Sequence, residues 1–285
     1  MFQIVTDSAA DLTPEDIAEN QIVVAPLKIE FPEGTVSSEE ISRDDFYARL
    51  KGMWPSIPST SLPSPEIFTQ IYQRLAKNAM PILSIHISSG LSSTISAALL
   101  GAESVPEAQV THIDSLTLSG GLRFQVLAAA AMVRAGKSLE YIQQQLQRVR
   151  EATETVYTLE TLEYLAKGGR IGRVQALAGI LLNIKPLIHV NHTDGKYSPV
   201  GRERTLPRAL EALSKHLGKL YGGDSLWISV MHGQATEYAD ELASSLRHSL
   251  NVAKLEVLRI SPVLGVHTGP GIIGAAVCPA ALLME

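Results

Sequence analysis

Pro81-Ile82-Leu83-Ser84-Ile85-His86-Ile87-Ser88-Ser89-Gly90-Leu91-Ser92-Ser93-Thr94 begins as an apolar run, passes through a turn of small residues and continues into a helical pattern. A short apolar run bounded by turn residues reads as a buried strand. Strand, turn and helix in that order form one βα unit. Residues 81–87 are the expected strand, and residues 91–103 the expected helix.

The same unit recurs outward from this stretch. Residues 2–5 form a short apolar strand, and Thr13-Pro14-Glu15 opens a helix, with Thr as the cap and Pro at the first helical position. Residues 22–31 read as one or two strands broken at Pro26, and residues 44–51 as a short helix. Pro55, Pro58, Pro63 and Pro65 make residues 54–65 an extended loop ahead of a helix over 66–78. A strand over 109–114 and helices over 117–134 and 138–150 follow. This alternation predicts a parallel sheet with helices on both faces. Past residue 150 the rhythm changes. Strands over 184–191 and 197–201 flank His192-Thr193-Asp194-Gly195, a hairpin signal, within an otherwise βα pattern. The expected architecture is therefore α/β in two domains. Residues 1–150 form an α/β/α parallel-sheet domain, and residues 151–285 a two-layer α/β domain with a mixed sheet.

Composition narrows the function. Of 285 residues, 45% are hydrophobic and 19% charged, enough apolar material for a sizeable core. The formal net charge is -5 and no long Lys/Arg run occurs, which argues against nucleic acid as a partner. The one cysteine, Cys278, can form no internal disulfide, and its apolar neighbours suggest a buried thiol. Neither a signal-peptide pattern nor an 18-residue apolar run occurs, so a cytoplasmic protein without an integral membrane segment is expected.

Five polar constellations remain. Thr6-Asp7-Ser8 ends the first strand, where α/β proteins gather ligands, although a plain turn fits equally. Thr60 and Ser61 lie in the Pro-stiffened loop, while Ser64-Pro65-Glu66 suits a helix cap. The Ser88–Thr94 turn offers free N–H groups at a helix N-terminus, either as an anion site or as plain capping by Ser92. It lacks the Gly-Lys-Ser/Thr of a phosphate loop and the Gly-x-Ser-x-Gly of a nucleophile elbow. Val266-His267-Thr268-Gly269-Pro270-Gly271 reads as a loop of special geometry bringing two donors. Arg170 and Arg173 follow Gly168-Gly169 and open an apolar helix over 171–182, the wrong end for positive charge. His86 follows no metal spacing, and His189 and His192 read as surface histidines. No metal-ligand cluster, cofactor fingerprint or carboxylate pair stands out.

Taken together, these segments resemble the DegV family. The resemblance rests on Val5-Thr6-Asp7-Ser8, Thr60-Ser61-Leu62-Pro63-Ser64, Ser88-Ser89-Gly90-Leu91-Ser92-Ser93-Thr94, the run from Leu162 to Gly172 through Lys167-Gly168-Gly169-Arg170, Lys185-Pro186, and His267-Thr268-Gly269-Pro270-Gly271. Ser93 departs from the glycine often found there. The resemblance implies two α/β domains with a long-chain fatty acid, of the palmitate, stearate or oleate class, buried between them. It implies a carboxylate held by Thr60, Ser92, the Ser93 backbone and the His267 segment. Ser61 and Thr268 lie beside this grip, and Arg170 and Arg204 near the head group or a docking surface. It further implies a binding subunit with no catalytic residue or cofactor of its own. A separate fatty acid kinase (DAK-like) would phosphorylate the bound acid, and an acyltransferase step would pass the acyl-phosphate to phospholipid synthesis. Burial of sixteen carbons is worth on the order of 12 kcal/mol before association costs, so a deep apolar lining is required. The apolar runs 122–133 and 176–182 are candidates for that lining or for ordinary core. The competing enzyme reading is a lipid-ester hydrolase using Ser92 or Ser93 with His86 or His267 as base, but no acidic orienter is visible. A phosphosugar or nucleotide site would suit the Ser/Gly turn, yet the usual phosphate motifs are absent.

Overall fold

The computed structural model describes residues 2–178 and 184–283. Its first half runs β1 (Gln3–Asp7), α1 (Pro14–Asn20), β2 (Val23–Ala25), β3 (Lys28–Phe31), β4 (Gly34–Ser37), α2 (Arg43–Met53), β5 (Ser59–Ser61), α3 (Pro65–Ala76), β6 (Ile82–His86), α4 (Thr94–Glu103), β7 (Val110–Asp114), α5 (Ser119–Arg134) and α6 (Leu139–Ala152). The expected βα units are present. Strands pair in the order β2-β1-β6-β7, all parallel. Every residue of β6 is buried, as a parallel strand covered by helices on both faces must be. The start of α1 is fixed locally. Asp16 N–H donates to Thr13 Oγ1 at 3.1 Å and Thr13 N–H to Asp16 Oδ2 at 3.0 Å, a reciprocal capping box.

The second half runs β8 (Glu154–Thr158), α7 (Glu163–Lys167), a 3₁₀ turn (Gly172–Val174), α8 (Gln175–Ala178), β9 (Lys185–Val190), β10 (Tyr197–Glu203), α9 (Leu206–Tyr221), β11 (Leu226–His232), α10 (Thr236–Ser249), β12 (Val252–Arg259), α11 (Pro262–Thr268) and β13 (Ile273–Pro279). Its sheet has the order β10-β9-β8-β13-β11-β12 and is mixed, with β9 and β10 forming the expected hairpin. The later part of the helix expected over 171–182, residues 179–182, lies outside the described residues.

The main sheets fall on either side of residue 150 in the chain, but the largest core cluster does not stop there. Thirteen of the sixteen residues of α5 are buried. The cluster around it joins Leu83 and Ile85 of β6 to Tyr157, Ile188, Met231 and Ala276 of the mixed sheet. A helix apolar on nearly every side is stable only when it is covered on every side. Residues 122–133 are mostly core rather than cavity lining.

Two local expectations are corrected. The loop expected over 54–65 contains β5, which pairs with β3 (Ile29 opposite Thr60) in a separate antiparallel sheet ordered β4-β3-β5. The strand is made by its pairing with β3, a partner about thirty residues away in the chain. The loop expected around His267 is the last turn of α11. Ser261-Pro262 starts this helix, and Gly269, at φ +75°, ends it.

Candidate functional site

The third sheet and α11 meet at Thr60 and His267. Thr60 Oγ1 and His267 Nε2 lie 2.8 Å apart across 207 residues of chain. Burial, helped by the charge of Arg170, pushes the His267 imidazole down to about 4, so the ring is neutral near pH 7. Its Nδ1 is buried without a partner. A Cβ on Gly168 would stand 2.1 Å from that nitrogen, so only glycine fits beside the ring. Orphaned buried N–H groups are rare, which assigns the single ring proton to Nε2. Nε2–H then donates to Thr60 Oγ1, and the Thr60 hydroxyl proton is left for another acceptor. Adjacent strand residues face opposite ways. Ser61 accordingly points away and donates to Glu30 Oε1 at 2.6 Å. Thr268 Oγ1 donates to Leu264 O at 3.0 Å within α11.

The Ser-rich turn after β6 packs on the β9–β10 hairpin. Ser88 Oγ donates to Gly195 O at 2.9 Å. A Cβ on Gly90 would lie 2.4 Å from Asp194 O, and one on Gly195, at φ +61°, 1.9 Å from Ser88 Oγ. These two glycines let the segments cross. Beside the crossing, Gly90 and Leu91 face Gly169, Arg170, Arg173, Lys196 and Tyr197 across a cleft of about 400 Å³. Arg170 Nη1 donates to Gly168 O at 2.8 Å, and Arg173 pairs with Asp194. Gly168 touches His267, so the cleft and the Thr60–His267 pair are joined through one short segment. Ser92 Oγ shares a 2.8 Å hydrogen bond with Thr94 Oγ1, and Ser93 is the exposed cap residue of α4 with no side-chain capping bond. Arg204 stands apart, exposed in the turn between β10 and α9.

A separate apolar cavity of about 10 Å³, room for about one water, is lined from both halves of the chain. Leu118 and Ser119 line it from the N-terminal half; Tyr157, Met231, Ile260, Leu264, Thr268 and Ile272 line it from the C-terminal half. Thr268 directly follows His267 in α11. The Tyr157 ring stands edge-on to Tyr197, which lines the cleft, with centroids 5.7 Å apart. Thr268, next to His267 in α11, lines this cavity, while Thr60, Ser92 and His267 do not. Tyr157, Tyr197 and Met231 escaped the sequence reading, because each is a single residue in an ordinary strand.

Other polar clusters are structural. Asp7 Oδ2 accepts from His86 Nδ1 at 3.0 Å and Ile87 N–H at 2.9 Å, and its Oδ1 from Ala9 N–H at 3.0 Å. His86 Nε2 meets Ser84 Oγ at 2.7 Å, and Ser84 meets Tyr72 OH at 2.8 Å. This Asp-His-Ser order resembles a hydrolase relay, but all three side chains are fully buried and Ser84 lies within a strand. Among the described residues neither Ser92 nor Ser93 reaches an imidazole. His189 and His192 are more than surface histidines: with His216 they surround Glu154 at 2.9–3.2 Å. Burial alone would raise this carboxyl's pKa, and the three histidines more than offset it, holding it far below the usual range. Among the described residues no group of three or more His, Cys, Asp or Glu is arranged to hold a metal ion, and no helix is long and apolar enough to cross a membrane. Cys278 is buried and free.

Comparison with known proteins gives the same picture along the whole chain. The family model described as the DegV family matches residues 1–280. A DegV domain-containing protein of Deinococcus radiodurans is 37% identical over 281 residues, covering 98% of this chain and 96% of the relative. Among solved structures, a DegV family protein from Thermus thermophilus described for its fatty acid binding superposes with a TM-score of 0.91 at 31% identity, covering 98% of this chain and 99% of that one. A stearic acid-binding protein from Eubacterium ventriosum superposes with a TM-score of 0.88 at 28% identity, with 98% of each chain covered.

Proposed function

We propose that this chain, which belongs to the DegV family, is a carrier that buries one long-chain fatty acid and holds its carboxylate with Thr60 and His267. The observation that carries this reading is the Thr60–His267 pair, with its uncommitted hydroxyl proton. The relatives from Thermus thermophilus and Eubacterium ventriosum support the ligand class by what they bind. Ser92 and the Ser93 N–H complete the grip from the start of α4, and Arg170 lies near the head group or on the docking surface. In this reading residues 1–150 and 151–285 are the two domains that enclose the acyl chain, and the protein works in the cytoplasm.

A neutral grip stabilises a carboxylate without covering it with a fixed cation. That suits a carrier presenting the carboxylate to a separate fatty acid kinase, with the acyl-phosphate consumed by an acyltransferase step of phospholipid synthesis. The chain itself is then a binding subunit rather than an enzyme. Native mass spectrometry after incubation with palmitate, stearate or oleate tests the reading. The wild type should retain one acid, and Thr60→Ala or His267→Ala should lower retention by about tenfold or more, the worth of a hydrogen bond to a charged group. Unchanged retention in both variants overturns the head-group assignment; no uptake by the wild type overturns the carrier.

A further inference from the structure

Beyond the end of β1, at Asp7 and Ser8, lies a different cleft of about 430 Å³. β1 has β2 on one side and β6 on the other, so the chain leaves it in both directions across the sheet. The carboxyl end of such a strand is where open α/β sheets leave a ligand crevice. Ile17 and Pro262 give the cleft an apolar wall, and Ser8, Ser38, Arg43 and Ser261 bring polar groups to it. None of these four belongs to the Thr60–His267 site.

The polar groups here are uncommitted donors. Ser261 is 6% exposed, and its Oγ is buried with no hydrogen-bond partner among the described residues. Ser8 Oγ accepts from Leu27 N–H at 2.9 Å, and Ser38 Oγ from Val263 N–H at 3.3 Å, so each of these hydroxyls keeps its proton. Arg43 Nε donates to Arg259 O at 3.0 Å, and neither Nη has a partner among the described residues. The carboxylates of the cleft are, by contrast, already satisfied. Asp7 accepts from His86, Ile87 and Ala9, and Asp11 from Ser119 Oγ and from Ser261 N–H. Glu39 is exposed at the rim and accepts from Ser37 Oγ. Burial pushes the Asp11 carboxyl up, toward its uncharged form, which weakens its repulsion of an anion. Donors therefore outnumber free acceptors, and the molecule that satisfies them brings acceptor oxygens. Native folds leave few buried polar atoms unpaired, so the Ser261 hydroxyl marks a partner that the chain does not supply. A water can take one hydroxyl proton, but it does not neutralise a guanidinium. The two Nη groups of arginine form a fork that matches two oxygens of one carboxylate or phosphate.

We propose that Arg43, Ser8, Ser38 and Ser261 form a second binding site, separate from Thr60 and His267, for a small organic oxyanion, a carboxylate or a phosphate ester. Amide NMR of the full chain, titrated separately with butyrate and with inorganic phosphate at constant ionic strength, tests it. At least one probe should give saturable shifts at Ser8, Ser38 and Ser261, and the tighter of the two identifies the oxyanion. Arg43→Gln should weaken that binding by about tenfold or more, the loss of a charge-assisted fork. Ser261→Ala should weaken it by about threefold without lowering the urea unfolding midpoint, because no partner within the protein is lost. The titration is repeated with oleate added. Shifts that persist support a separate site, and shifts that oleate abolishes assign the probe to the fatty acid site and overturn the proposal. No saturable shift with either probe also overturns it, leaving ordered water as the partner of Ser261. Wild-type affinity in both Arg43→Gln and Ser261→Ala overturns the residue assignment. The carrier reading stands or falls separately, on fatty acid retention.

Discussion

The protein contains two imidazole–hydroxyl pairs of nearly equal length: His86–Ser84 at 2.7 Å and His267–Thr60 at 2.8 Å. In the first, Asp7 occupies the other ring nitrogen and Tyr72 the hydroxyl, and the three side chains of Asp7, Ser84 and His86 are fully buried. In the second, the other nitrogen faces the bare Cα of Gly168 and the hydroxyl keeps a free proton. The first pair has every valence used, so it can only hold the parallel sheet together. The second has an open valence. Residue type does not separate structure from function here; saturation of the hydrogen-bonding groups does.

Four measurements would break or sharpen that contrast. The largest effect belongs to the saturated pair. Asp7→Ala leaves His86 and two backbone N–H groups unpaired, and should cost about 3–5 kcal/mol of stability by urea denaturation. A small loss would mean that the buried relay is dispensable.

The next effect separates the pairs by pH. The His267 imidazole has its ordinary 6.5 lowered to about 4 by burial and by Arg170. Between those values the unfolded chain binds the extra proton, so this contribution is complete above about pH 6.5 and is lost as the pH falls toward 4. Unfolding free energies at pH 7 and pH 4.5 should therefore differ by about 2.4 kcal/mol more in the wild type than in His267→Asn. Equal pH dependence in the two proteins would contradict a neutral, buried ring.

A smaller change comes from Gly168→Ala. The added methyl displaces the ring and breaks the bond to Thr60, with a destabilisation of about 1–3 kcal/mol and loss of fatty acid retention. Retention at the wild-type level would show that the grip does not depend on the ring's position. The smallest effect is expected at Ser61→Ala. Its hydroxyl serves Glu30 near the surface, so stability should change by less than about 0.5 kcal/mol and retention not at all. A loss like that of Thr60→Ala would mean that β5 presents its other face to the ligand.

Much of this framework was legible along the chain. The strand-turn-helix at residues 81–103, the Thr13 capping box and the 184–201 hairpin each follow from neighbours within a few positions. Strand β5 was missed because its pairing partner, β3, lies about thirty residues away, and three residues carry no periodicity. The helix that carries His267 in its last turn reads as a loop in the sequence because Gly269-Pro270-Gly271 dominates the pattern, although the same glycine terminates a helix. The Glu154 cluster joins residues from β8, the hairpin and α9, which no local pattern connects.

The sequence by itself determined most of the strands and helices and their order, the family, and the chemical types available for a head-group site. Those depend on backbone propensity, capping and turn chemistry, all interactions between near neighbours. Only the tertiary structure decided which histidine keeps a nitrogen open and which carboxylates and sulfurs are buried beside donors. Burial and hydrogen-bond saturation depend on groups such as Gly168 beside His267, and Gly120 beside Met231, that lie about a hundred residues apart in the chain.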